Sequence, residues 1–202
     1  MGDPVSSPSD FCGADGAERF HGRSLVVMTE LGSFEIALHE AARETCDYFA
    51  LAVQAGVFHN GSVFRIVSRE QRGNDDGCPI DVVQVGTKNG LCEDRSIVTH
   101  EHSALTHIHH RKWTASAARY APGELYHSFF ICLKDEPELD YGGNRQPDGQ
   151  GFAAFGQVIS GHEVVAAIFD RAESCDELAR PIRIENITIK KPSGVNPCIK
   201  LG

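Results

Sequence analysis

The sequence has no long hydrophobic run and no excess of basic residues. None of its apolar runs approaches the roughly 18 residues that a membrane-spanning helix needs, and Met1 to Phe20 is polar, without the apolar core of a signal peptide. The 202 residues carry a formal charge of −9, which argues against a general binder of nucleic acids or of anionic membranes. We therefore expect a soluble, cytoplasmic protein.

The sequence also lacks a Cys-x-x-Cys pair, although it contains seven cysteines. An odd number of cysteines cannot all pair within one chain, and Cys46, Cys92 and Cys132 fall within periodic segments. We therefore expect reduced thiols, as is typical of the cytoplasm. There is no Gly-x-Ser-x-Gly motif, and no local motif around any cysteine indicates a serine or cysteine hydrolase.

Glycine and proline, by contrast, are plentiful and evenly spread. The 20 glycines and nine prolines predict many turns and therefore a β-rich fold. Residues 1–22 mix Ser, Pro, Gly and Asp without any period, which predicts a flexible N-terminal tail. We expect one folded domain over residues 23–191 and a C-terminal tail over residues 192–202.

The hydrophobic pattern predicts a mainly β fold. Ser24–Glu30 and Gly32–His39 alternate as the two strands of a hairpin. Glu40–Ala55 has apolar side chains at helical spacing with Gly56 as its stop, and Glu163–Phe169 predicts a second, short helix. The other predicted strands are Gly61–Val67, Ile80–Gln84, Trp113–Arg119, Leu125–Leu133, Phe152–Ile159 and Ile182–Ile189. About eight strands suit a closed eight-stranded antiparallel barrel capped by two helices, because closure removes the sheet edges.

Three of the predicted strands carry a side chain that a core strand does not need. Alternation along the strand sends Arg65 to the opposite face from Phe64, where Arg65 must meet solvent or a ligand. Gln84 and Phe130 occupy later strands, and we interpret all three as parts of one shallow groove on the outside of the barrel. Each also has a structural alternative: a surface ion pair for Arg65, an exposed strand position for Gln84 and a core position for Phe130.

Histidines cluster in the irregular stretch between Gly86 and Arg111. Neutral imidazoles are good ligands for transition metals, so a metal site is one interpretation. The spacing matches no closed zinc motif, and we expect a solvated, partly hydrogen-bonded loop and no metal cofactor. The five candidate ligands are His100, His102, His107, His109 and His110.

The order of these segments resembles the cyclophilin family of peptidyl-prolyl cis-trans isomerases, from about Ser24 to Lys190. The segments that carry the resemblance are Gly32–Leu38, Tyr48–Leu51, Gly61–Val67, Val83–Gln84, Phe129–Ile131, Leu139–Asp140 and Phe155–Gly161. Pro137–Asn144 and Pro147–Gly156 look like a bacterial subgroup with an elongated loop. The resemblance implies a cyclophilin-like barrel that catalyses rotation about Xaa-Pro bonds and assists protein folding without a cofactor.

The resemblance also implies roles for individual residues. Arg65 matches the catalytic arginine of the family, Gln84 its groove glutamine and Phe130 the floor of its proline pocket. Further positions that match the lining of the substrate site are Val82, Ala118, Leu139 and Phe152. The implied partners are proline-containing peptides or unfolded proteins, bound by a monomer without nucleic acid or membrane.

Several positions depart from the family pattern. Asp81 stands where the pocket phenylalanine is expected, which removes part of the apolar wall, and Phe152 replaces a histidine and is expected to restore apolar surface. Glu138 replaces the aromatic residue commonly linked to cyclosporin binding, so we expect weak cyclosporin binding. Arg119 replaces the groove asparagine, and Val85 replaces a glycine.

These departures motivate an alternative function, a cyclophilin-like module that binds proline peptides or proteins with little turnover. The retained Arg65 favours the enzyme. Rotation about an Xaa-Pro bond meets a barrier of about 20 kcal/mol because the amide nitrogen shares its lone pair with the carbonyl. A guanidinium is charged at every working pH and offers donors in a rigid fork, so it can stabilise the twisted amide without an acid, a base or a metal.

Overall fold

The computed structural model describes residues 22–70, 78–87 and 96–191. Within them, nine strands form one antiparallel sheet in the order β4-β3-β9-β1-β2-β8-β6-β7-β5. The strands are β1 (Ser24–Thr29), β2 (Gly32–Leu38), β3 (Ser62–Val67), β4 (Val82–Gly86), β5 (Ser96–Ile97), β6 (Thr114–Arg119), β7 (Glu124–Cys132), β8 (Ala153–Ser160) and β9 (Glu177–Lys190). Because β4 also pairs with β7, eight strands close into a barrel and β5 lies outside the closure. The predicted eight-stranded barrel is confirmed.

Two helices match the predicted ones, α1 (Arg43–Gln54) and α3 (His162–Phe169). A single-turn helix, α2 (Ser103–Thr106), and strand β5 lie in the stretch that the sequence predicted to be irregular. Short 3-10 helices cover Glu40–Ala42, Val57–Asn60 and Pro137–Leu139. Over the described ranges, no helix has both the length and the apolar character required to cross a membrane.

Helix α1 closes over the barrel through a cluster of phenylalanines. Phe49 of α1 stacks on Phe155 of β8 with ring centroids 4.6 Å apart, and it meets Phe129 of β7 edge-on at 5.6 Å. All three rings are fully buried. Gly56 follows α1 in the left-handed region at φ 72°, which a side chain rarely adopts, so the helix ends where the sequence predicted.

The loop before α2 caps the N-terminus of α1. One carboxylate oxygen of Glu101 accepts a hydrogen bond from the Glu44 amide at 3.1 Å, and the other accepts from the Thr45 amide at 2.8 Å and from the Thr45 hydroxyl at 2.7 Å. In return, the Glu44 carboxylate accepts from the amide and the hydroxyl of Thr99, both at 2.9 Å. A negative charge at this end also complements the helix dipole.

We therefore expect Glu101→Ala to lower the free energy of unfolding by about 1–2 kcal/mol, because it leaves first-turn N–H groups of α1 without their acceptor. Urea unfolding followed by circular dichroism measures the change. Glu30→Ala is the matched control, since it removes an equally charged but exposed side chain. Equal stability of the two variants would contradict this role of Glu101.

The cysteines among the described residues are Cys46, Cys78, Cys132 and Cys175, and none of these four forms a disulfide bond, as predicted. Burial raises the pKa of the Cys46 thiol to about 12 and the pKa of Cys132 well above its ordinary value, so both are unreactive. Cys92 and both predicted tails lie outside the described residues, except for Gly22. The domain limits, 23–191, therefore stay a prediction.

Candidate functional site

The pairing register of neighbouring strands aligns the three groove candidates. Arg65 of β3 lies opposite Gln84 of β4, and Gln84 lies opposite Phe130 of β7. Residues directly opposite each other in an antiparallel ladder point to the same face of the sheet. Ser116 of β6 lies opposite Phe130 and extends this row across a fourth strand. Three positions that are far apart in the sequence are therefore neighbours on one side of the barrel wall.

A β-bulge at Phe64 interrupts the alternation that the sequence predicted for β3. The ladders from β3 to β4 and from β3 to β9 both shift register between Val63 and Arg65. Val63 and Ile66 both belong to the barrel core although they are three positions apart, which strict alternation forbids. The prediction of strict alternation along β3 was therefore wrong. The bulge inserts one extra residue into the strand, and after it Arg65 and Val67 point to the outer face.

A cavity of about 160 Å³ opens on this outer face. Its floor is aromatic: the rings of Phe130 and Phe152 meet edge-on, with centroids 5.2 Å apart. The structure brings together, in the lining of this single cavity, all seven residues that the sequence analysis selected. They are Arg65, Val82, Gln84, Ala118, Phe130, Leu139 and Phe152.

The apolar wall that Asp81 seemed to remove is supplied by other residues. Val67 and Ile80 line the cavity and pack with its aromatic floor in one buried cluster. Asp81 itself does not line the cavity. Its buried carboxylate accepts a hydrogen bond from the Arg69 amide at 2.8 Å and pairs with the Lys134 ammonium at 2.7 Å. The departure at Asp81 therefore leaves the wall intact.

The Arg65 guanidinium is held by a carboxylate beside the cavity. Its Nη2 donates to Asp176 Oδ2 at 2.7 Å, and both side chains are about one-third exposed. The carbonyl of Asp176 accepts a hydrogen bond from the Ile66 amide at 2.8 Å, which ties the backbone of Asp176 to β3. Arg65 therefore fits both interpretations of it, since it makes a surface ion pair and lines the cavity. No pattern in the sequence indicated Asp176.

Gln84 is buried rather than exposed, so the structural alternative for it was wrong. Its amide nitrogen donates to the hydroxyl oxygens of Tyr126 at 3.2 Å and Ser128 at 3.1 Å. Burial raises the pKa of the Tyr126 hydroxyl, although the hydrogen bond from Gln84 opposes this. Tyr126 lines the cavity and was not predicted. Its even spacing from Phe130 along β7 was the signal that could have identified it.

The long segment between β7 and β8 completes the cavity with Arg145 and Gln146. This segment is fixed by Arg119, whose side chain is fully buried and makes two hydrogen bonds to Asp148, at 2.8 and 2.9 Å. Arg119 Nε also donates to the carbonyl of Gly151 at 2.7 Å. Arg119 therefore holds the segment in place. It does not present an open polar group to the groove, as the asparagine expected at this position would.

Beneath the cavity floor lies a hydrogen-bonded chain of the buried Ser116 and His110 with the partly exposed Asp140. His110 Nε2 is 2.8 Å from Ser116 Oγ, and His110 Nδ1 is 2.7 Å from Asp140 Oδ1. The imidazole also stacks under Phe130, with centroids 6.2 Å apart. These are the contacts of a hydrolase triad, but Ser116 is 0% exposed, so no substrate can reach its hydroxyl. The chain therefore supports the cavity floor.

The other four candidate histidines contact nearby residues. His100 Nε2 lies 3.0 Å from the carbonyl of Gln150, and His102 stacks on Tyr141 with centroids 4.4 Å apart. His109 Nδ1 lies 2.8 Å from Asp140 Oδ2. His107 directly follows α2 and has a left-handed backbone conformation. In the part of the chain that the structure describes, no group of three or more His, Cys, Asp or Glu side chains could hold a metal ion.

His110 is expected to make stability depend on pH. Burial lowers the pKa of His110, although the hydrogen bond with Asp140 opposes this. A histidine kept neutral in the folded protein binds protons more readily when unfolded, so the folded state loses stability as the pH falls below about 6.5. We expect the free energy of unfolding to decrease between about pH 7 and pH 5.5, and to decrease less in His110→Asn. Urea unfolding at both pH values measures this, and equal decreases would contradict it.

Comparisons with known proteins bear on the fold and the family of this chain. The family model for cyclophilin type peptidyl-prolyl cis-trans isomerase/CLD matches residues 24–189. A crystal structure of a cyclophilin type peptidyl-prolyl cis-trans isomerase from Cryptosporidium parvum has a TM-score of 0.62 at 17% identity, covering 84% of this chain and 98% of that chain. The structure determined in the presence of the dipeptide Ala-Pro has a TM-score of 0.61 at 17% identity, covering 83% and 99%. No curated protein gives a significant match.

Proposed function

The chain belongs to the cyclophilin-type peptidyl-prolyl cis-trans isomerase family, and we propose that it rotates Xaa-Pro bonds in the cavity beside Arg65. The observation that carries this proposal is the convergence of three kinds of group on one cavity: the guanidinium of Arg65, the amide of Gln84 and the apolar floor around Phe130. Together they meet the two requirements of the reaction.

The first requirement is to stabilise the twisted amide. When the Xaa-Pro bond rotates, the lone pair returns to nitrogen and the resonance of the planar amide is lost. Arg65 would donate toward the proline nitrogen or carbonyl as this happens, while its Nη2 stays bound to Asp176. Since this interaction is strongest in the twisted state, it lowers the barrier instead of only binding the substrate.

The second requirement is to hold one end of the bond while the other turns. The pyrrolidine ring would pack against Phe130 and Phe152, with Val82 and Leu139 at the sides of the same apolar cluster. Gln84 would hydrogen-bond the peptide backbone, and its amide is already oriented by Tyr126 and Ser128. Residues on rigid strands hold the peptide in the reactive orientation, so part of the binding energy serves to lower the activation barrier.

The test is the cis-to-trans exchange of a blocked Ala-Pro peptide, followed by NMR exchange spectroscopy. Uncatalysed exchange takes roughly tens of seconds, so catalysis by micromolar protein is directly visible. We expect accelerated exchange. A protein that binds the peptide but leaves its exchange rate unchanged would instead be the alternative, a proline-peptide or protein binding module with little turnover.

In the cell, we propose that the substrates are proline-containing peptides or unfolded proteins, and that the enzyme assists protein folding as a monomer. The formal charge of −9 supports a role without nucleic acid or membrane. The unpaired thiols of Cys46 and Cys132 support a reducing compartment, and we propose the cytoplasm.

Asp176 is expected to act as a positioning residue for Arg65. Asp176→Asn keeps the size of the side chain but removes the charge, so the guanidinium loses its fixed orientation. We expect kcat to fall by about 3- to 10-fold with little change in KM. Asp176→Glu should recover part of the loss. Glu185→Gln is the matched control, because it breaks an exposed ion pair with Arg183 on the same strand. An unchanged kcat in Asp176→Asn would contradict this role.

A further inference from the structure

We propose that Tyr126 is a further substrate-binding residue of the cavity, whose hydroxyl donates a hydrogen bond to a backbone carbonyl of the bound peptide outside the Xaa-Pro bond. This role deepens the proposed function and rests on it. Three observations carry it: the direction of the hydrogen bonds around Gln84, the place of Tyr126 in the cavity lining and the contacts that fix the Tyr126 ring.

The hydrogen bonds around Gln84 run in one direction. The Ser128 hydroxyl donates its only proton to the carbonyl of Val85 at 3.0 Å, so toward Gln84 it acts as an acceptor. Gln84 must therefore turn the nitrogen of its amide, and not the oxygen, to Ser128 at 3.1 Å. The same nitrogen gives its second hydrogen to the Tyr126 hydroxyl oxygen at 3.2 Å. Both donors of the Gln84 side chain are thus used within the protein.

One acceptor and one donor remain for a peptide. Gln84 offers the oxygen of its amide, which accepts from a peptide N–H. Tyr126 accepts from Gln84 and keeps its own proton, for which no acceptor is present among the described residues. Burial raises the pKa of this hydroxyl, so it stays protonated at neutral pH. Because a peptide backbone presents both N–H and C=O groups, it matches this acceptor and donor as a neighbouring strand would.

Tyr126 stands where a bound peptide can reach it. It lines the cavity, and its side chain is partly exposed. Arg65, Gln84 and Tyr126 belong to β3, β4 and β7, which are adjacent in that order, so Arg65 and Tyr126 lie two strands apart. Two strand spacings are roughly 10 Å, or about three residues of an extended peptide. With Arg65 at the Xaa-Pro bond, Tyr126 therefore meets a carbonyl beyond that bond.

The Tyr126 side chain is held before any substrate binds. Its ring packs against the ring of Tyr120 with centroids 4.8 Å apart, and Gln84 binds the hydroxyl at its other end. A donor that is already oriented loses little freedom on binding. Since the carbonyl lies outside the bond that rotates, the interaction is equally strong in the planar and the twisted amide. It should therefore lower KM and leave kcat nearly unchanged.

Tyr126→Phe removes the hydroxyl and keeps the ring, and the probe is acetyl-Ala-Ala-Pro-Ala-Ala-amide. NMR exchange spectroscopy and titration should show an affinity and a kcat/KM about 5-fold lower than in the wild type, with kcat changed less than about 2-fold. Tyr141→Phe removes an exposed hydroxyl outside the cavity lining and should match the wild type. Equal affinities of Tyr126→Phe and the wild type would overturn the proposal.

A spectroscopic signature separates this role from a structural one. The peptide is isotopically labelled at one carbonyl carbon at a time, because a carbonyl that accepts a hydrogen bond shifts its resonance downfield. One carbonyl outside the Xaa-Pro bond should shift in the complex with the wild type but not with Tyr126→Phe. Ser128→Ala frees one donor of Gln84 but keeps the Tyr126 hydroxyl, so it should retain this shift.

Identical carbonyl shifts in the wild type and in Tyr126→Phe would overturn the proposal, and so would a difference confined to the carbonyl of the Xaa-Pro bond itself. Binding and carbonyl shifts are measured whether or not exchange is catalysed. A peptide that binds with the expected shift but exchanges at its uncatalysed rate would refute the proposed function and uphold the role of Tyr126 in binding.

Discussion

Arg65→Ala is expected to lower kcat/KM for Xaa-Pro exchange by about 100-fold or more, while the affinity for the same peptide changes little. The guanidinium acts on the twisted amide, so its removal raises the barrier without removing the apolar floor around Phe130. NMR exchange spectroscopy gives the catalysed rate, and a titration monitored by chemical shift gives the affinity of the same sample.

Two further variants make this result specific. Arg65→Lys keeps the charge but loses the fork of donors and the fixed contact with Asp176, so we expect it to recover only a small part of the rate. Arg183→Ala removes an exposed arginine of β9 that pairs with Glu185, and its rate should match the wild type. A wild-type rate in Arg65→Ala would show that another group stabilises the twisted amide.

Asp148→Ala is expected to lower the free energy of unfolding by about 2–4 kcal/mol, because it leaves the buried charge of Arg119 without its carboxylate. The side chain of Arg119 is fully buried, whereas that of Asp148 is 37% exposed, so solvent offsets part of the loss. Chemical unfolding followed by fluorescence or circular dichroism measures the effect.

The expected decrease in the free energy of unfolding comes from the buried charge of Arg119, and two further variants test this cause. Arg119→Met with Asp148→Ala removes both members of the pair and should be more stable than Asp148→Ala alone. Glu185→Ala breaks an exposed ion pair and should change the free energy of unfolding by less than about 1 kcal/mol. A small effect of Asp148→Ala, similar to that of Glu185→Ala, would contradict the proposed role of the buried pair.

Most of the barrel and the cavity floor could be predicted from the sequence because they follow the period of the strands. Once β4 and β7 pair, the register brings Gln84 opposite Phe130, and the next outward position of β4 is Val82. The seven residues chosen for the site all line one cavity, since each sits on or beside a regular element whose pattern and family order are visible in the sequence.

The remaining features of the fold and of the site depend on contacts that no periodic sequence pattern reveals. The bulge at Phe64 changes which side chains of β3 face outward, and an alternating pattern cannot reveal an inserted residue. Asp176 reaches Arg65 across more than a hundred positions of sequence. Arg145 and Gln146 come from an irregular segment whose path is set by the buried Arg119, a residue that composition alone would assign to the surface.

Two adjacent residues of β7 face opposite sides of the barrel wall and have different roles. Phe129 packs with Phe49 and Phe155 inside the barrel, and Phe130 forms the cavity floor outside it. A single layer of β-sheet therefore separates the barrel interior from the cavity. Because close-packed interiors transmit strain, a change in the volume of Phe129 would shift the floor on which the proline ring rests. Engineering the interior of this barrel for heat resistance is therefore also a way of retuning its substrate range.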